Sequence, residues 1–378
     1  MSPVETNESP GARYRLWPIR RRVLVGLCAI GAVLMPIVGA FAYVGGFLSP
    51  DRLTQSRLVD GFQTVNGVHP GFRRNHAKGV CIAGRFESNG NGVALSKASV
   101  FETGTTPVIG RFAVAVGKPF IPDNETQVRS LALLFRLKNG EEWRTGLNDI
   151  PVFPARTPQD FYELLMAGAP DPATGKPDPA RLQAFFAAHP ESAAALALIR
   201  ARPFATGFAD ASYNSLDAFR MVNAAGTSTP VRWSMAASDP FVPQTPIEGG
   251  SAGTNYLFDA LIARIAQGPV QWRLMVTVGE AGDVTADATL PWPETRRRVD
   301  VGTLIIDHVE AEGPGNCRDV NFDPLVLPDG IEPSDDPLLS ARSATYSTSF
   351  TRRAGEPKTP SEVQIPENVP AATPAKGS

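Results

Sequence analysis

Tyr346 is the residue whose type and surroundings carry the most direct chemical meaning. It follows Arg342 by four positions in the stretch Arg342-Ser343-Ala344-Thr345-Tyr346, and residues four apart lie on one face of a helix. A guanidinium beside a phenol favours the phenolate form, which is a strong anionic ligand for ferric iron. The less specific interpretation is a tyrosine that packs on an arginine in an ordinary helix.

His76 is the second candidate, and it comes from a short list because the chain has only four histidines. It follows Arg73 and Arg74 and precedes a predicted strand at residues 80–86. Imidazole transfers protons near neutral pH, and arginine pairs well with anionic groups. The alternative is a histidine in an ordinary surface loop. The remaining histidines suggest no chemical role: His69, His189 and His308.

The overall composition narrows the class of protein. The 36 Lys and Arg residues against 38 Asp and Glu residues give a net charge of −2, which provides no broad positive field for nucleic acid. The three cysteines, Cys28, Cys81 and Cys317, exclude a disulfide scaffold and a cysteine-rich zinc module. In an oxidising compartment Cys81 and Cys317 could pair, or they could remain free.

The N-terminus predicts a membrane segment. Residues 1–22 are basic and end in Arg20-Arg21-Arg22, and residues 23–48 contain no charged residue. Such a segment spans a bilayer as a signal-anchor, and the positive-inside rule keeps the basic tail in the cytoplasm and exports the rest. A cleavable signal peptide is the competing interpretation, because Ala40-Phe41-Ala42 has the small-x-small pattern of a cleavage site.

The elements that must position Tyr346 and His76 indicate an α+β domain. Strand patterns occur at residues 79–86, 108–116, 231–236 and 270–278, and residues 131–147 form a predicted hairpin around Asn139-Gly140. Helices begin near Thr157-Pro158 and Asp178-Pro179, and others cover 191–201 and 255–267. Many strands followed by helices favour a strongly bent sheet or barrel. Residues 354–378 are Pro-rich and predicted to be disordered.

Six short motifs occur in an order that carries a family resemblance. They are His76-Ala77-Lys78-Gly79, Arg111-Phe112, Pro151-Val152-Phe153, Phe219-Arg220-Met221-Val222-Asn223-Ala224, the stretch from Phe322-Asp323-Pro324 to Gly330-Ile331, and Arg342 with Tyr346. Together they resemble the haem catalase superfamily, and more closely its short exported catalase-related peroxidases. The resemblance implies a catalase-like antiparallel eight-stranded β-barrel with a helical segment over residues 49–353, and haem b as cofactor.

The resemblance also implies roles for single residues. His76 resembles the distal histidine, which moves the proton of bound peroxide. Tyr346 resembles the axial ligand of the haem iron, and Arg342 the arginine that keeps that tyrosine ionised. The residues that resemble arginines pairing with the haem carboxylates are Arg73, Arg111 and Arg353. Phe153 either lines the pocket or belongs to the core.

The distal amide is ambiguous by one position. Counting back from Pro151 without a gap gives Asp149, and one inserted residue gives Asn148. An amide donates a hydrogen bond to peroxide, whereas an ionised carboxylate cannot. Asn148 is therefore preferred.

Two departures from the family pattern affect the expected function. Ala113 stands where catalases usually carry a serine that hydrogen-bonds the distal histidine, and Arg74 and Asn75 replace apolar residues beside His76. The long N-terminal arm and the extra C-terminal helices of full-length catalases are missing, so we expect a monomer or dimer rather than a tetramer.

These observations predict a membrane-anchored haem peroxidase on the periplasmic or extracytoplasmic side of the inner membrane. It would reduce hydrogen peroxide and organic hydroperoxides with a small organic electron donor, with weak or no catalase activity. Two alternatives remain open: a catalase-like hydroperoxide isomerase or dehydratase, and a non-catalytic haem-binding module.

Overall fold

A computed structural model describes residues 21–45, 47–48, 52–125, 127–244 and 253–365. The chain divides into two compact units, residues 1–54 and 55–378. In the first unit, helix α1 covers Arg21–Val44, and its part Val23–Val44 is long and apolar enough to cross a membrane. This helix fits a signal-anchor or a membrane span. The predicted basic tail lies outside the described residues except for its last two.

The second unit is built on ten strands in one antiparallel sheet. Their bounds are β1 Gly79–Ser88, β2 Gly104–Val114, β3 Arg129–Arg136, β4 Glu142–Asn148, β5 Tyr213–Asn214, β6 Phe219–Val222, β7 Ser228–Ala237, β8 Val270–Val278, β9 Arg298–Glu310 and β10 Ile331–Pro333. Pairing of β7 with β8 closes the ring β1-β2-β3-β4-β5-β7-β8-β9. The predicted eight-stranded barrel is confirmed, with β6 and β10 extending from β7.

Alternation along β8 separates a buried face from a more exposed face. Its residues Val270, Trp272, Leu274, Val276 and Val278 are buried, and none of the four residues between them is. Strand side chains alternate between the two faces of a sheet, so these apolar residues fill the barrel. Aromatic rings dominate the core, with Trp143 stacked on Phe135 at 4.7 Å and Trp233 stacked on Phe219 at 4.3 Å between ring centroids.

The described part of the second unit contains six helices: α2 Gln55–Asn66, α3 Pro158–Ala167, α4 Pro179–Ala188, α5 Pro190–Ala201, α6 Tyr256–Ala266 and α7 Pro337–Ala354. Thr157 and Asp160 form a capping box at the start of α3, and Asp178 caps α4. Asp336 caps α7 through the Leu338 amide at 2.9 Å, with Pro337 as the first helical residue. Helices α2, α3 and α7 contact one another.

The chain after α7 packs against the domain. Val363 is fully buried and Ser361 is nearly so, and Glu356 accepts from the Gly71 amide at 2.7 Å. Glu356 also pairs with buried Arg74, whose Nη1 lies 2.9 Å from Glu356 Oε2. Residues 355–365, which the sequence assigned to a disordered tail, are therefore ordered. The rest of that tail, 366–378, lies outside the described residues.

Cys81 and Cys317 form a disulfide with their Cα atoms 5.4 Å apart. Of the two states that the sequence left open, the structure has the paired one. The bond joins β1 to the segment after β9 across 236 residues. It therefore secures the segment that leads to α7 against the barrel.

Candidate active site

The eight predicted site residues line one cavity. They are Arg73, His76, Arg111, Asn148, Phe153, Arg342, Tyr346 and Arg353. The cavity lies between the face of β2, β3 and β4 that carries Arg111, Ala132 and Gly146 and residues of α2, α3 and α7. Phe112 and Trp143 of β2 and β4 belong instead to the barrel core, so strand alternation assigns one face to the core and the other to the site.

His76 lies in the connection between α2 and β1, and its backbone has φ 55°. This left-handed conformation is uncommon for a residue with a side chain. Its ring contacts Ser130, with Oγ 2.9 Å from Nδ1. Burial lowers the pKa of His76 to about 3, and the charge of Arg111 is the next largest cause. The imidazole is thus neutral at neutral pH.

Asn148 ends strand β4 and accepts a hydrogen bond from Ser130 Oγ at 2.5 Å. Asp149 is directed away from the cavity. Its carboxylate accepts from the Arg129 amide at 2.8 Å and pairs with Arg202 at 3.3 Å. The geometry therefore brings Asn148, and not Asp149, together with His76.

Tyr346 and Arg342 lie on α7 above Gly146 of β4. Arg342 Nη2 and Tyr346 Oη would lie 3.4 and 3.6 Å from a Cβ at Gly146, so both groups face the strand at this position. Arg342 also forms an ion pair with buried Asp217. Leu216, the residue before Asp217, has a backbone φ of 65°.

Two of the three arginines that were predicted to pair with haem carboxylates, Arg73 and Arg111, contact one buried carboxylate. Glu312 accepts from Arg111 Nε and Nη2 at 2.7 and 3.0 Å, and from Arg73 Nη1 at 3.2 Å. Arg353 donates instead to the carbonyls of Arg318 and Val320. Burial lowers the pKa of Arg73 well below its usual value, and the neighbouring Arg111 and Arg353 charges add to that effect.

Phe153 lines the cavity and packs on Phe161 of α3, with ring centroids 5.2 Å apart. The structure thus supports both interpretations of this residue at once. Arg74, which replaces an apolar residue beside His76, is neutralised by Glu356 rather than presented as a free charge.

Three residues of the site were not predicted from the sequence: Ser130, Asp217 and Glu312. Ser130 stands one position before the predicted hairpin, on the strand face opposite Leu131. Asp217 and Glu312 stand in segments with no catalytic motif, and their roles arise only from the arginines that folding places beside them.

Comparison with known proteins agrees with this geometry. The profile of the family described as Catalase matches residues 49–377. The chain belongs to the catalase family. It is 36% identical over 335 residues to a catalase-related peroxidase of Synechococcus elongatus, covering 89% of this chain and 98% of that protein. A catalase-related peroxidase of Mycolicibacterium paratuberculosis is 33% identical over 306 residues, covering 80% of this chain and 96% of the relative.

Full catalases of the family are more distant and longer. A solved bacterial catalase superposes with a TM-score of 0.68 at 22% identity, covering 76% of this chain and 58% of that one. A fungal catalase gives a TM-score of 0.67 at 20% identity, covering 76% and 60%. These likenesses concern the fold. The homologues identify the chain as an oxidoreductase that acts on peroxide.

Proteins of the catalase family are haem-dependent, and the residues of this cavity fit a haem. Arg73 and Arg111 share the one carboxylate of Glu312, and Arg353 donates to backbone carbonyls. Positive charge therefore remains for a group that carries carboxylates. The walls between the arginines and Tyr346 are largely apolar, with Ala132, Phe153 and Phe322 among them. The phenol of Tyr346 on α7 offers an oxygen ligand for iron, as tyrosine does in this family.

Proposed function

We propose that this protein is a haem b peroxidase that reduces hydrogen peroxide and organic hydroperoxides with a small organic electron donor, with weak or no catalase activity. The observation that carries the proposal is the convergence of two sets of residues in one cavity. His76 and Asn148 line it from the segment before β1 and from β4, and Arg342 and Tyr346 line it from α7. A module that only binds haem does not need the histidine and the amide of His76 and Asn148.

We assign cofactor binding to the α7 residues Arg342 and Tyr346 and to three further arginines. Tyr346 Oη would hold the iron, and Arg342 lies one helical turn before it on α7. Arg73, Arg111 and Arg353 would pair with the propionates, and Phe153 would line the pocket. When bound, haem would supply a redox-active ferric iron for the reaction with peroxide.

The chain's own residues would handle the protons. Neutral His76 accepts the proton of the incoming hydroperoxide and returns it to the leaving oxygen, which departs as water or an alcohol. The amide of Asn148 donates a hydrogen bond to the peroxide and orients it. Each peroxide consumed requires two electrons, and an organic donor supplies them.

Three observations support a peroxidase over a full catalase. The chain covers 98% and 96% of two catalase-related peroxidases but only 58% of the catalase of Rattus norvegicus. Ala113 lacks the serine hydroxyl usual in catalases. Arg74 and Asn75 make the surroundings of His76 more polar, although Glu356 pairs with Arg74. The altered distal site would favour oxidation of a donor over oxidation of a second peroxide.

The remaining proposals concern location and assembly. An apolar α1 after a basic segment supports a single-pass anchor with the domain on the extracytoplasmic side, and the Cys81–Cys317 disulfide suits an oxidising compartment. We propose a monomer or dimer. Sedimentation of the detergent-solubilised full chain tests this assembly, and a tetramer would contradict it.

Steady-state assays of the haem-loaded full chain test the activity. We expect peroxide-dependent donor oxidation, little oxygen release from hydrogen peroxide, and loss of oxidation in His76→Ala. Rapid oxygen release without donor oxidation would contradict the proposal. Rearranged product from a fatty-acid hydroperoxide without donor would favour an isomerase or dehydratase, and full biological activity of His76→Ala would favour a binding module.

A further inference from the structure

A row of three residues crosses the sheet beneath His76. Ala113 of β2 pairs with Ser130 of β3, and Ser130 pairs with Asn148 of β4. Directly opposed residues of neighbouring strands present their side chains on the same face, and all three line the cavity. Ala113 offers no polar group, so Ser130 supplies the hydroxyl of this row next to Asn148.

The single proton of the Ser130 hydroxyl determines the direction of both its hydrogen bonds. An amide oxygen only accepts, so at 2.5 Å from Asn148 Oδ1 the hydroxyl must donate to it. No second proton is left for His76 Nδ1, 2.9 Å away. The imidazole must therefore donate its own Nδ1 proton to Ser130 Oγ. Its Nε2 then carries the free lone pair.

The same pair of bonds orients Asn148. With its oxygen bound to Ser130, the amide nitrogen keeps both of its N–H groups for another partner. Among the described residues, Ser130 is the one hydrogen-bond partner of the His76 ring. It also anchors a residue whose backbone lies in the left-handed region, where a side chain needs support from its surroundings.

We propose that Ser130 is a positioning residue. It holds His76 as the Nδ1–H tautomer, and it holds Asn148 so that its amide N–H groups stay free. Its hydroxyl lies on β3, next to Ala113 of β2. The inference rests on the proposed function, because it makes His76 Nε2 the acceptor and Asn148 the donor toward peroxide. Ser130 itself touches no reacting atom.

The tautomer is measured directly on the haem-free full chain by nitrogen NMR of the ring of His76. We expect Nδ1 protonated and Nε2 unprotonated in the wild type, and a mixture of tautomers in Ser130→Ala. Ser130→Thr keeps a hydroxyl and should keep the wild-type tautomer. An Nε2–H tautomer in the wild type, or no change in Ser130→Ala, overturns the proposal whether or not the protein turns over peroxide.

Turnover and ligand binding of the haem-loaded full chain give the second readout. We expect Ser130→Ala to lower kcat/KM for peroxide by about ten- to a hundredfold. We also expect it to weaken cyanide binding, because hydrogen cyanide gives its proton to the distal base when it binds. Ser343→Ala, whose hydroxyl binds Asp323 at 2.7 Å, is the matched control and should change neither.

These outcomes separate the two proposals. Wild-type protein without peroxide-dependent donor oxidation would contradict the proposed function and leave the tautomer result intact. An active wild type whose Ser130→Ala variant keeps wild-type kcat/KM and cyanide affinity would contradict the role of Ser130 alone.

Discussion

Arg342 lies one helical turn before Tyr346 on α7 and forms an ion pair with the buried carboxylate of Asp217. The arginine beside the proposed iron ligand is therefore partly neutralised by a group outside α7. The electrostatic field at Tyr346 therefore depends on the Arg342–Asp217 ion pair, and not on Arg342 alone.

Asp217→Asn should raise the reduction potential of the bound iron, because a negative charge near the redox centre is lost. We expect a rise of roughly tens of millivolts, measured by spectroelectrochemistry. Asp210→Asn is the control, since Asp210 is similarly buried but binds the 206–207 backbone. An unchanged or lower potential in Asp217→Asn would show that this pair does not act on the site.

The pKa of His76 predicts a pH dependence of stability. Since burial lowers that pKa from 6.5 to about 3, the unfolded chain binds a proton in this interval that the folded chain does not. This residue's contribution is complete above pH 6.5 and is lost as the pH falls toward 3, by at most about 1.4 kcal/mol per pH unit.

Denaturant unfolding of the haem-free full chain at several pH values measures this slope. His76→Gln should unfold with a smaller loss of stability between pH 6.5 and 4 than the wild type, and His69→Gln should match the wild type. Parallel curves for the wild type and His76→Gln would show that the histidine is not buried in neutral form.

Arg353 and Arg352 provide a matched pair for the proposed propionate contacts. Arg353 is buried and lines the cavity, whereas Arg352 is partly exposed and pairs with Asp60 of α2. Arg353→Met should weaken haem binding about 10- to 100-fold, as expected for a charge-assisted hydrogen bond, and Arg352→Met should not. Transfer of haem from each variant to apomyoglobin measures the rate of haem loss.

Haem with esterified propionates sharpens this test. It carries no carboxylate charge, so Arg353→Met and the wild type should bind it alike. Equal loss of affinity for haem and for its ester would mean that Arg353 supports the fold of the cavity rather than the carboxylates.

The register around Asn148 shows where sequence reasoning stops. The Asn139-Gly140 pair predicts the hairpin correctly, but a two-residue turn would place Leu131 opposite Asn148. The structure has a three-residue loop, in which the Leu137 amide donates to Glu141 O and Gly140 has φ 84°. Ser130 therefore faces Asn148, and a one-residue slip exchanges the two faces of a strand.

The barrel was predicted from the family resemblance that the ordered motifs carry, because each motif keeps its local spacing. The eight residues that the same resemblance assigns to the site line one cavity, and their roles stay predictions. Glu312 could not be predicted in the same way. It lies more than 200 positions from Arg111, and nothing in the sequence distinguishes it from a surface carboxylate. The ordered segment 355–365 was missed because a Pro-rich composition does not show that Val363 becomes buried.

The disulfide should contribute to stability through the unfolded chain. Cys81→Ser with Cys317→Ser removes a constraint on a 236-residue separation and should lower the free energy of unfolding by about 2 to 5 kcal/mol. Cys28→Ser is the control, because Cys28 is a free cysteine on α1. Unfolding of the double variant at the wild-type denaturant concentration would contradict a stabilising role.

The central claim is that this cavity holds a haem through Tyr346, and the absorption and electron paramagnetic resonance spectra of the haem-loaded full chain test it most directly. The wild type should show a high-spin ferric tyrosinate signature, and Tyr346→Phe should lose it. Tyr213→Phe, which removes a core hydroxyl bound to Phe208 O at 2.7 Å, should retain it. An unaltered spectrum in Tyr346→Phe would contradict the assignment.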